Sequence, residues 1–208
     1  MSVGSRGKRA SGPNLRGRPV RGTREGRPVE SVGVADIDTL AVRVRAASHL
    51  TGTFVLRSGR TSTEYFDKYL FEAEPALLAD IVAAMAVHLP PGTDLLAGLE
   101  LGGVPLATLL SARTGLPARF VRKKAKEYGT RRIAEGGEVE GRRIVLVEDV
   151  VTSGGAVLDA TRVLREEGAV VEDVLCVIDR QEGGRERLAD IGLTLRPVLT
   201  RADLDAAG

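Results

Sequence analysis

Two adjacent carboxylates and a loop of hydroxyls and glycines are the residues of this chain that could do chemistry together. Glu148 and Asp149 follow the apolar run 143–147, and a Thr-Ser-Gly-Gly loop at 152–155 precedes a helical pattern that starts at Ala156. Ligands of open α/β sheets bind at the carboxyl ends of strands, and helix N-termini favour phosphate. Carboxylates repel a bare phosphate but accept hydrogen bonds from ribose hydroxyls or join a Mg²⁺ shell. The combination indicates a site for a phosphorylated sugar.

Two other phosphate motifs do not match this loop. The Gly-Lys-Ser/Thr ending of a Walker loop is missing, and the glycines do not follow the G-x-G-x-x-G spacing of a dinucleotide site. The alternative interpretation is a glycine-rich strand-to-helix turn with solvated acids.

Nucleophilic catalysis has no candidate residues in this sequence. The single cysteine, Cys176, lies in the apolar run 174–178, where a thiol behaves as a small hydrophobe. The two histidines, His49 and His88, each fall at a predicted helix end, and no Ser-His-Asp or Cys-His arrangement is visible. One cysteine cannot form an internal disulfide, which predicts a cytoplasmic protein.

Apolar strands alternate with helices along most of the chain. Predicted helices span residues 36–49, 75–89, 103–114 and 156–167, and predicted strands span 53–57, 61–66, 94–99, 117–122, 143–147, 170–178 and 193–199. Strands that are apolar throughout indicate a parallel sheet covered on both faces. The pattern predicts a doubly wound α/β fold with a small N-terminal helix-hairpin appendage.

The N-terminal segment 1–33 differs from the rest of the chain in composition. It is rich in Gly, Arg, Ser and Pro, and residues 1–31 carry eight basic and two acidic side chains although the whole chain has a net charge of +2. We expect a disordered basic tail at 1–33 and one domain at 34–208. Because the basic character belongs to the tail, no nucleic-acid-binding domain is expected. No apolar run is long enough to span a membrane.

The run Val147-Glu148-Asp149-Val150-Val151-Thr152-Ser153-Gly154-Gly155-Ala156 resembles the signature of the type I phosphoribosyltransferases. The resemblance implies the type I phosphoribosyltransferase fold. It also implies that 5-phosphoribosyl 1-pyrophosphate (PRPP) is the donor of the phosphoribosyl group and that Mg²⁺ is the cofactor. It implies that Glu148 and Asp149 bind the ribose hydroxyls. It also implies that Thr152, Ser153, Gly154, Gly155 and Ala156 wrap the 5-phosphate, with Val150 and Val151 also at the donor.

Three further segments resemble the orotate phosphoribosyltransferase branch. The first is the hairpin 54–67. Its resemblance implies that Arg57 contacts PRPP and lies near the carboxylate of orotate, and that Tyr65 and Phe66 contact the pyrimidine ring. An aromatic face can stack on the flat pyrimidine, although alternation along a strand leaves open that only one of the two rings does so. After the strand that ends at Ile178, Arg180 matches the residue that pairs with the base, and Thr152 is also assigned to orotate.

The polar stretch 122–141 resembles the mobile catalytic loop of that branch. The resemblance makes Arg122, Lys123 and Lys126 catalytic, because they neutralise the leaving pyrophosphate, and puts Tyr128, where many members have His, at the donor. In the family this loop reaches the neighbouring subunit's site, which implies a homodimer. The pyrophosphate loop 98–105 has Gly102 where many relatives have Lys, which puts more weight on the lysines of the catalytic loop.

These segments imply transfer of the phosphoribosyl group from PRPP to orotate through a transition state that resembles an oxocarbenium ion. Two alternatives remain open: a phosphoribosyltransferase for another base, such as a purine, and a non-catalytic regulator that senses PRPP or a nucleotide. Arg57, Tyr65, Phe66 and Arg180 disfavour the purine alternative. The cationic loop disfavours the sensor, whereas the basic tail slightly favours it.

Overall fold

The computed structural model describes residues 36–55, 59, 61–123 and 133–208, and its first part is a small helix-hairpin layer. Helix α1 (Ile37–Ser48) buries Leu40, Ala41 and Val44 at helical spacing. Strands β1 (His49–Val55) and β2 (Thr61–Phe66) pair antiparallel. Helix α2 (Lys68–Glu72) follows at once, and the Asp67 side chain caps it by accepting a hydrogen bond from the backbone N–H of Tyr69.

The rest of the described chain alternates helices and strands. In chain order these are α3 (Pro75–Val87), β3 (Leu95–Leu99), α4 (Gly103–Thr114), β4 (Ala118–Val121), β5 (Ala134–Glu135), β6 (Arg143–Val151), α5 (Gly155–Glu166), β7 (Val170–Asp179), α6 (Gly184–Ala189), β8 (Thr194–Thr200) and α7 (Arg201–Ala206). The strands form one sheet in the order β5-β4-β3-β6-β7-β8. All neighbours are parallel except β4 and β5. The predicted doubly wound, mainly parallel α/β fold is therefore confirmed.

The sheet separates two hydrophobic cores, and the central strand β6 contributes to both. Val145 and Val147 pack with α1, α3 and α4 on one face. Ile144 and Leu146 pack with α5 on the other. Successive strand residues point to opposite faces, so the alternation places Asp149 on the α4 side and Glu148 on the α5 side.

Most predicted elements are present, and the differences have local causes. Strand β6 continues through the two acids to Val151 because its last residues pair with the end of β7. Strand β1 begins at His49, earlier than the predicted 53–57, and residues 56–58 lie outside the described residues. Helices α2, α6 and α7 and strand β5 were not predicted, since segments of two to six residues are too short for a periodic pattern to show. Among the described residues no helix is long and apolar enough to cross a bilayer.

Candidate active site

A cavity of about 360 Å³ opens where strand β6 ends and helix α5 begins. The predicted loop lines it completely from residue 150 to residue 156, and Glu148 lies on its wall. Its other lining residues are Lys68, Tyr69, Glu100, Leu101, Lys123 and Val157. The cavity thus lies at the carboxyl edge of the sheet, as the strand order of an α/β fold requires.

The loop at 152–155 is held in shape by the neighbouring helix α6. Gly154 takes a φ of +75°, a conformation that favours glycine, and forms the N-cap of α5. The Arg187 side chain donates a hydrogen bond of 2.8 Å from Nη1 to the Ser153 carbonyl oxygen. Gly184 packs so closely that a Cβ there would overlap the Thr152 carbonyl oxygen. The shape of the loop at 152–155 therefore depends on α6.

The two acids of the motif have different surroundings. Glu148 lines the cavity, whereas the Asp149 side chain is fully buried beside it and does not line it. Oδ2 of Asp149 lies 2.6 Å from Nζ of Lys68, which comes from α2. Oδ1 accepts a 2.5 Å hydrogen bond from the backbone N–H of Val150. The structure thus brings both predicted acids to the site and adds a lysine that the sequence did not indicate.

Burial and contact with one another set the charges of these groups. Burial, and then the hydrogen bond and charge of Asp149, raise the pKa of Glu148 well above its usual range. Burial opposes ionisation of Asp149, but contacts with Glu148 and Lys68 prevail and lower the pKa of Asp149. Burial lowers the pKa of Lys68, but contact with Asp149 outweighs this and the net shift is upward. Asp149 is therefore the more acidic of the two adjacent carboxyl groups, and Lys68 is its counter-ion.

A third carboxyl group, that of Glu72, lies next to Asp149 at the end of α2. Burial, followed by the charge and polar contact of Asp149, raises the pKa of Glu72 to about 8. Glu72 is therefore largely protonated at neutral pH and can donate to the Asp149 carboxylate.

The backbone at Gly102 touches the same carboxyl groups. A Cβ at Gly102 would overlap the Asp149 carboxylate and come within 2.7 Å of Oε1 of Glu72. With no side chain at position 102, an ammonium group reaches Asp149 from another element, because Lys68 of α2 forms an ion pair with that carboxylate.

A second cavity, of about 370 Å³, brings together three of the four residues predicted to bind the base, whereas Thr152 lines the first cavity. Tyr65, Phe66 and Arg180 all line it. The Tyr65 ring stacks on Phe54 with centroids 5.4 Å apart and is 43% exposed, whereas Phe66 packs against the hydrophobic core. Tyr65 is thus the ring with a free face for a planar ligand.

Arg180 is fixed at the end of β7 by its backbone and its neighbours. Its N–H donates a 2.9 Å hydrogen bond to the carbonyl oxygen of Val151, which lines the first cavity. Its Nη2 lies 3.2 Å from Oε1 of Glu182, and its Nε is buried without a hydrogen-bond partner among the described residues. The residue before it, Asp179, is buried and accepts from Nη2 of Arg185 at 3.0 Å. Arg180 therefore sits on an anchored turn and joins the two cavities.

The loop cations are described only in part. Lys123 lies at the mouth of the first cavity, and its backbone N–H donates to Oε1 of Glu100 at 2.6 Å. The backbone N–H of Arg122 donates to the Ile133 carbonyl oxygen at 2.9 Å, and its Nε is buried without a partner in the described part of the chain. Predicted residues that lie outside the described residues are Arg57, Lys124, Lys126 and Tyr128.

Sequence reasoning missed two kinds of residue in this site. The sequence gives only a weak indication of Lys68. It is a basic residue directly after Asp67, the residue that caps α2 and follows the two aromatic residues of the hairpin. The sequence gives no indication of the Asp179–Arg185 ion pair, because nothing in it distinguishes a buried acid at a strand end from a solvated one.

Comparison with known proteins agrees with this geometry. Residues 72–195 match the family model of the phosphoribosyl transferase domain. An orotate phosphoribosyltransferase from a Nocardioides species is 62% identical over 169 residues, which cover 81% of this chain and 94% of that protein. One from Methanocella arvoryzae is 44% identical over 153 residues, which cover 74% and 87%.

Solved structures give the same result. The Mycobacterium tuberculosis orotate phosphoribosyltransferase in complex with Fe(III) dicitrate superposes with a TM-score of 0.72 at 35% identity, over 81% of this chain and 98% of that one. The same enzyme in complex with PRPP gives a TM-score of 0.68 at 32% identity over the same shares. Fold and site thus define a phosphoribosyltransferase.

Within that class, the relatives identify the branch. The chain belongs to the orotate phosphoribosyltransferases, a family of pentosyltransferases. The alternative of a transferase for a purine is thereby set aside.

Proposed function

We propose that this chain transfers the 5-phosphoribosyl group of PRPP to orotate, giving orotidine 5'-monophosphate and pyrophosphate in the biosynthesis of UMP. A ring nitrogen of orotate attacks C1 of the ribose as the bond to pyrophosphate breaks. The observation that carries the proposal is a pair of neighbouring cavities, linked by the hydrogen bond from the backbone N–H of Arg180 to the Val151 carbonyl oxygen. The loop at 150–156 lines one cavity, and Tyr65, Phe66 and Arg180 are among the residues that line the other.

The donor is assigned to the first cavity. The 5-phosphate lies against the backbone of residues 152–156 at the N-terminus of α5, where N–H groups and the helix dipole favour an anion. Glu148 on the wall and Asp149 beside it accept the ribose hydroxyls. Val150 and Val151 line the same cavity. Arg57 and Tyr128 are proposed at the donor from family resemblance.

Orotate is assigned to the second cavity. The exposed face of Tyr65 stacks on the pyrimidine, with Phe66 behind it in the core. The Arg180 guanidinium pairs with the polar edge of the base, because its planar fork matches two acceptors at once. Thr152, whose backbone lies next to Val151, completes the contact between base and donor.

Catalysis rests on positioning and on neutralising the leaving group. Arg122, Lys123 and Lys126 are assigned to the pyrophosphate, whose negative charge concentrates as the bond to C1 breaks. Lys123 already lines the donor cavity. No side chain has to form a covalent intermediate.

Mg²⁺ is proposed as the cofactor, carried mainly by the substrate. Asp149 is paired with Lys68 and Glu148 has a raised pKa, and in the described residues no three potential ligands cluster as a metal site would need. The residues present fit an ion that would arrive with PRPP, and Glu148 on the cavity wall would be the protein group that holds it. When bound, the ion supplies charge neutralisation at the pyrophosphate.

The assembly and location follow from resemblance and composition. We propose a homodimer in which each catalytic loop serves the neighbouring site, acting in the cytoplasm, where the lone and buried Cys176 needs no disulfide partner. Residues 34–208 carry the activity.

The test is loss of orotate absorbance with purified protein, PRPP and Mg²⁺, beside adenine, hypoxanthine, xanthine and uracil. Turnover with orotate alone is the expected result. Turnover with another base would contradict the roles of Tyr65 and Arg180. Tight PRPP binding without turnover of any base would replace the transferase with a PRPP sensor.

A further inference from the structure

Lys68 is a cation of the donor cavity that the reaction as assigned above does not use. It is the first residue of α2, its side chain is 34% exposed, and it lies on the cavity wall with Glu148, Leu101 and Lys123. Its Nζ lies 2.6 Å from Oδ2 of the buried Asp149 and 5.4 Å from the centroid of the Tyr69 ring. The ammonium group is thus held at a defined place.

The close packing around Asp149 explains why the cation comes from α2. The backbone of Gly102 abuts the Asp149 carboxylate so closely that no side chain fits at that position. Glu72, which also touches Asp149, carries no positive charge. In the described part of the chain, Lys68 is the cation in contact with this carboxylate.

The position of Lys68 relative to the sheet determines which part of PRPP its ammonium group can contact. Asp149 points away from the face covered by α5, and the 5-phosphate loop belongs to α5. With the ribose at Glu148 and Asp149, the group on C1 must extend away from that loop. Lys68, Leu101 and Lys123 line the part of the cavity wall that the loop at residues 150–156 does not form.

The chemistry of an ammonium group allows a second partner. It has three N–H donors. One is directed to Asp149, and the partial exposure of Lys68 toward the cavity leaves the others free for an anion. A pyrophosphate group supplies such an anion beside the ribose.

We propose that Lys68 is a further substrate-binding residue, which binds the pyrophosphate group of PRPP while it holds Asp149 for the ribose hydroxyls. The proposal rests on the assignment of PRPP to this cavity. The competing role is a purely structural one, in which Lys68 only neutralises Asp149.

Calorimetric titration with PRPP and with ribose 5-phosphate separates the two roles, because the second ligand uses Asp149 but has no pyrophosphate. Lys68→Met is expected to weaken PRPP binding about tenfold or more, and ribose 5-phosphate binding less than about threefold. Lys68→Arg should retain most of the PRPP affinity. Equal weakening for both ligands, or no weakening, would overturn the proposal.

Arg43→Met is the matched control, because Arg43 forms a 2.6 Å ion pair with Asp80, has a similarly exposed side chain and does not line the cavity. It should leave both affinities unchanged. Failure of the unaltered protein to bind PRPP would instead count against the proposed function, so the two failures are distinguishable.

Chemical restoration of the amine gives an independent measurement. Lys68→Cys treated with 2-bromoethylamine regains an ammonium group at nearly the original reach, and the native Cys176 is fully buried and so protected. PRPP affinity should recover to within about threefold of the unaltered protein. If the alkylated variant remains as weak as Lys68→Met and its melting temperature is normal, the proposal is wrong.

Discussion

At the scale of single residues, Arg180 is the group to which the proposed function assigns recognition of the base. Its Nε is buried without a hydrogen-bond partner among the described residues, so a planar ligand with two acceptors would satisfy it. Arg180→Lys should raise the KM for orotate about 10- to 100-fold and leave the KM for PRPP nearly unchanged, since a lysine cannot reproduce the bidentate fork. Initial rates at varied orotate check this. The control is Arg196→Lys on β8, which alters an ion pair with Asp173 on β7. An equal rise in the KM for orotate in that variant would refute the specific role of Arg180.

Glu72 makes the stability of the protein depend on pH in the direction opposite to that of a normal acid. Its folded-state pKa of about 8 lies above the usual value of 4.5, so the folded state holds the proton more tightly than the unfolded state. The stability from this group is fully present below about pH 4.5 and is lost as pH rises through 8. Glu72→Gln keeps a donor for Asp149 but cannot ionise.

The melting temperature of Glu72→Gln should therefore exceed that of the unaltered protein by about 3 °C or more at pH 8.5, with little difference at pH 5. Thermal melts across that range measure it. Parallel curves for the two proteins would show that Glu72 does not titrate as described.

At the scale of elements, α6 acts as the support of the phosphate loop. Gly184→Ala would drive a methyl group into the Thr152 carbonyl oxygen and to within 2.9 Å of Val151, although the backbone of Gly184 is compatible with alanine. We expect the KM for PRPP to rise about tenfold, because a small displacement of a positioning group has a large kinetic cost. The exposed Glu186→Ala in the same helix should have no effect. Unaltered PRPP kinetics in Gly184→Ala would mean that the loop holds its own shape.

At the scale of the whole molecule, mixing two inactive variants tests the proposal that each active site of a homodimer uses the loop of the neighbouring subunit. A hybrid dimer contains one Lys126→Ala subunit and one Arg180→Ala subunit. If each loop serves the neighbouring subunit's site, one of the two sites combines an intact Lys126 with an intact Arg180. Random mixing should then restore about a quarter of the unaltered activity. A loop that acts within its own subunit would restore none.

The N-terminal segment gives a second test at this scale. Residues 32–208 form one compact unit, and the family match begins at residue 72. Deletion of residues 1–33 should change kcat and both KM values by less than about twofold. It should change the melting temperature by less than about 2 °C. A large loss of activity would show that the basic segment takes part in function.

The fold class and the grouping of Glu148 with residues 150–156 around one cavity followed from the sequence alone, because both are encoded locally. The apolar runs set the strands, and turn chemistry at residues 152–155 marked the phosphate loop. The hairpin aromatics and Arg180 were also identified correctly as neighbours, since each lies at the end of a strand or beside one.

Only the tertiary structure decided how these residues are held. Extension of β6 through Glu148 and Asp149 puts the two acids on opposite faces, and that depends on pairing with β7. Lys68 and Glu72 reach Asp149 because α2 docks against an element far away in sequence. Gly184 and Arg187 support the phosphate loop in the same way. Periodicity and turn residues act over a few neighbours along the chain, whereas these contacts form only when separate elements pack together.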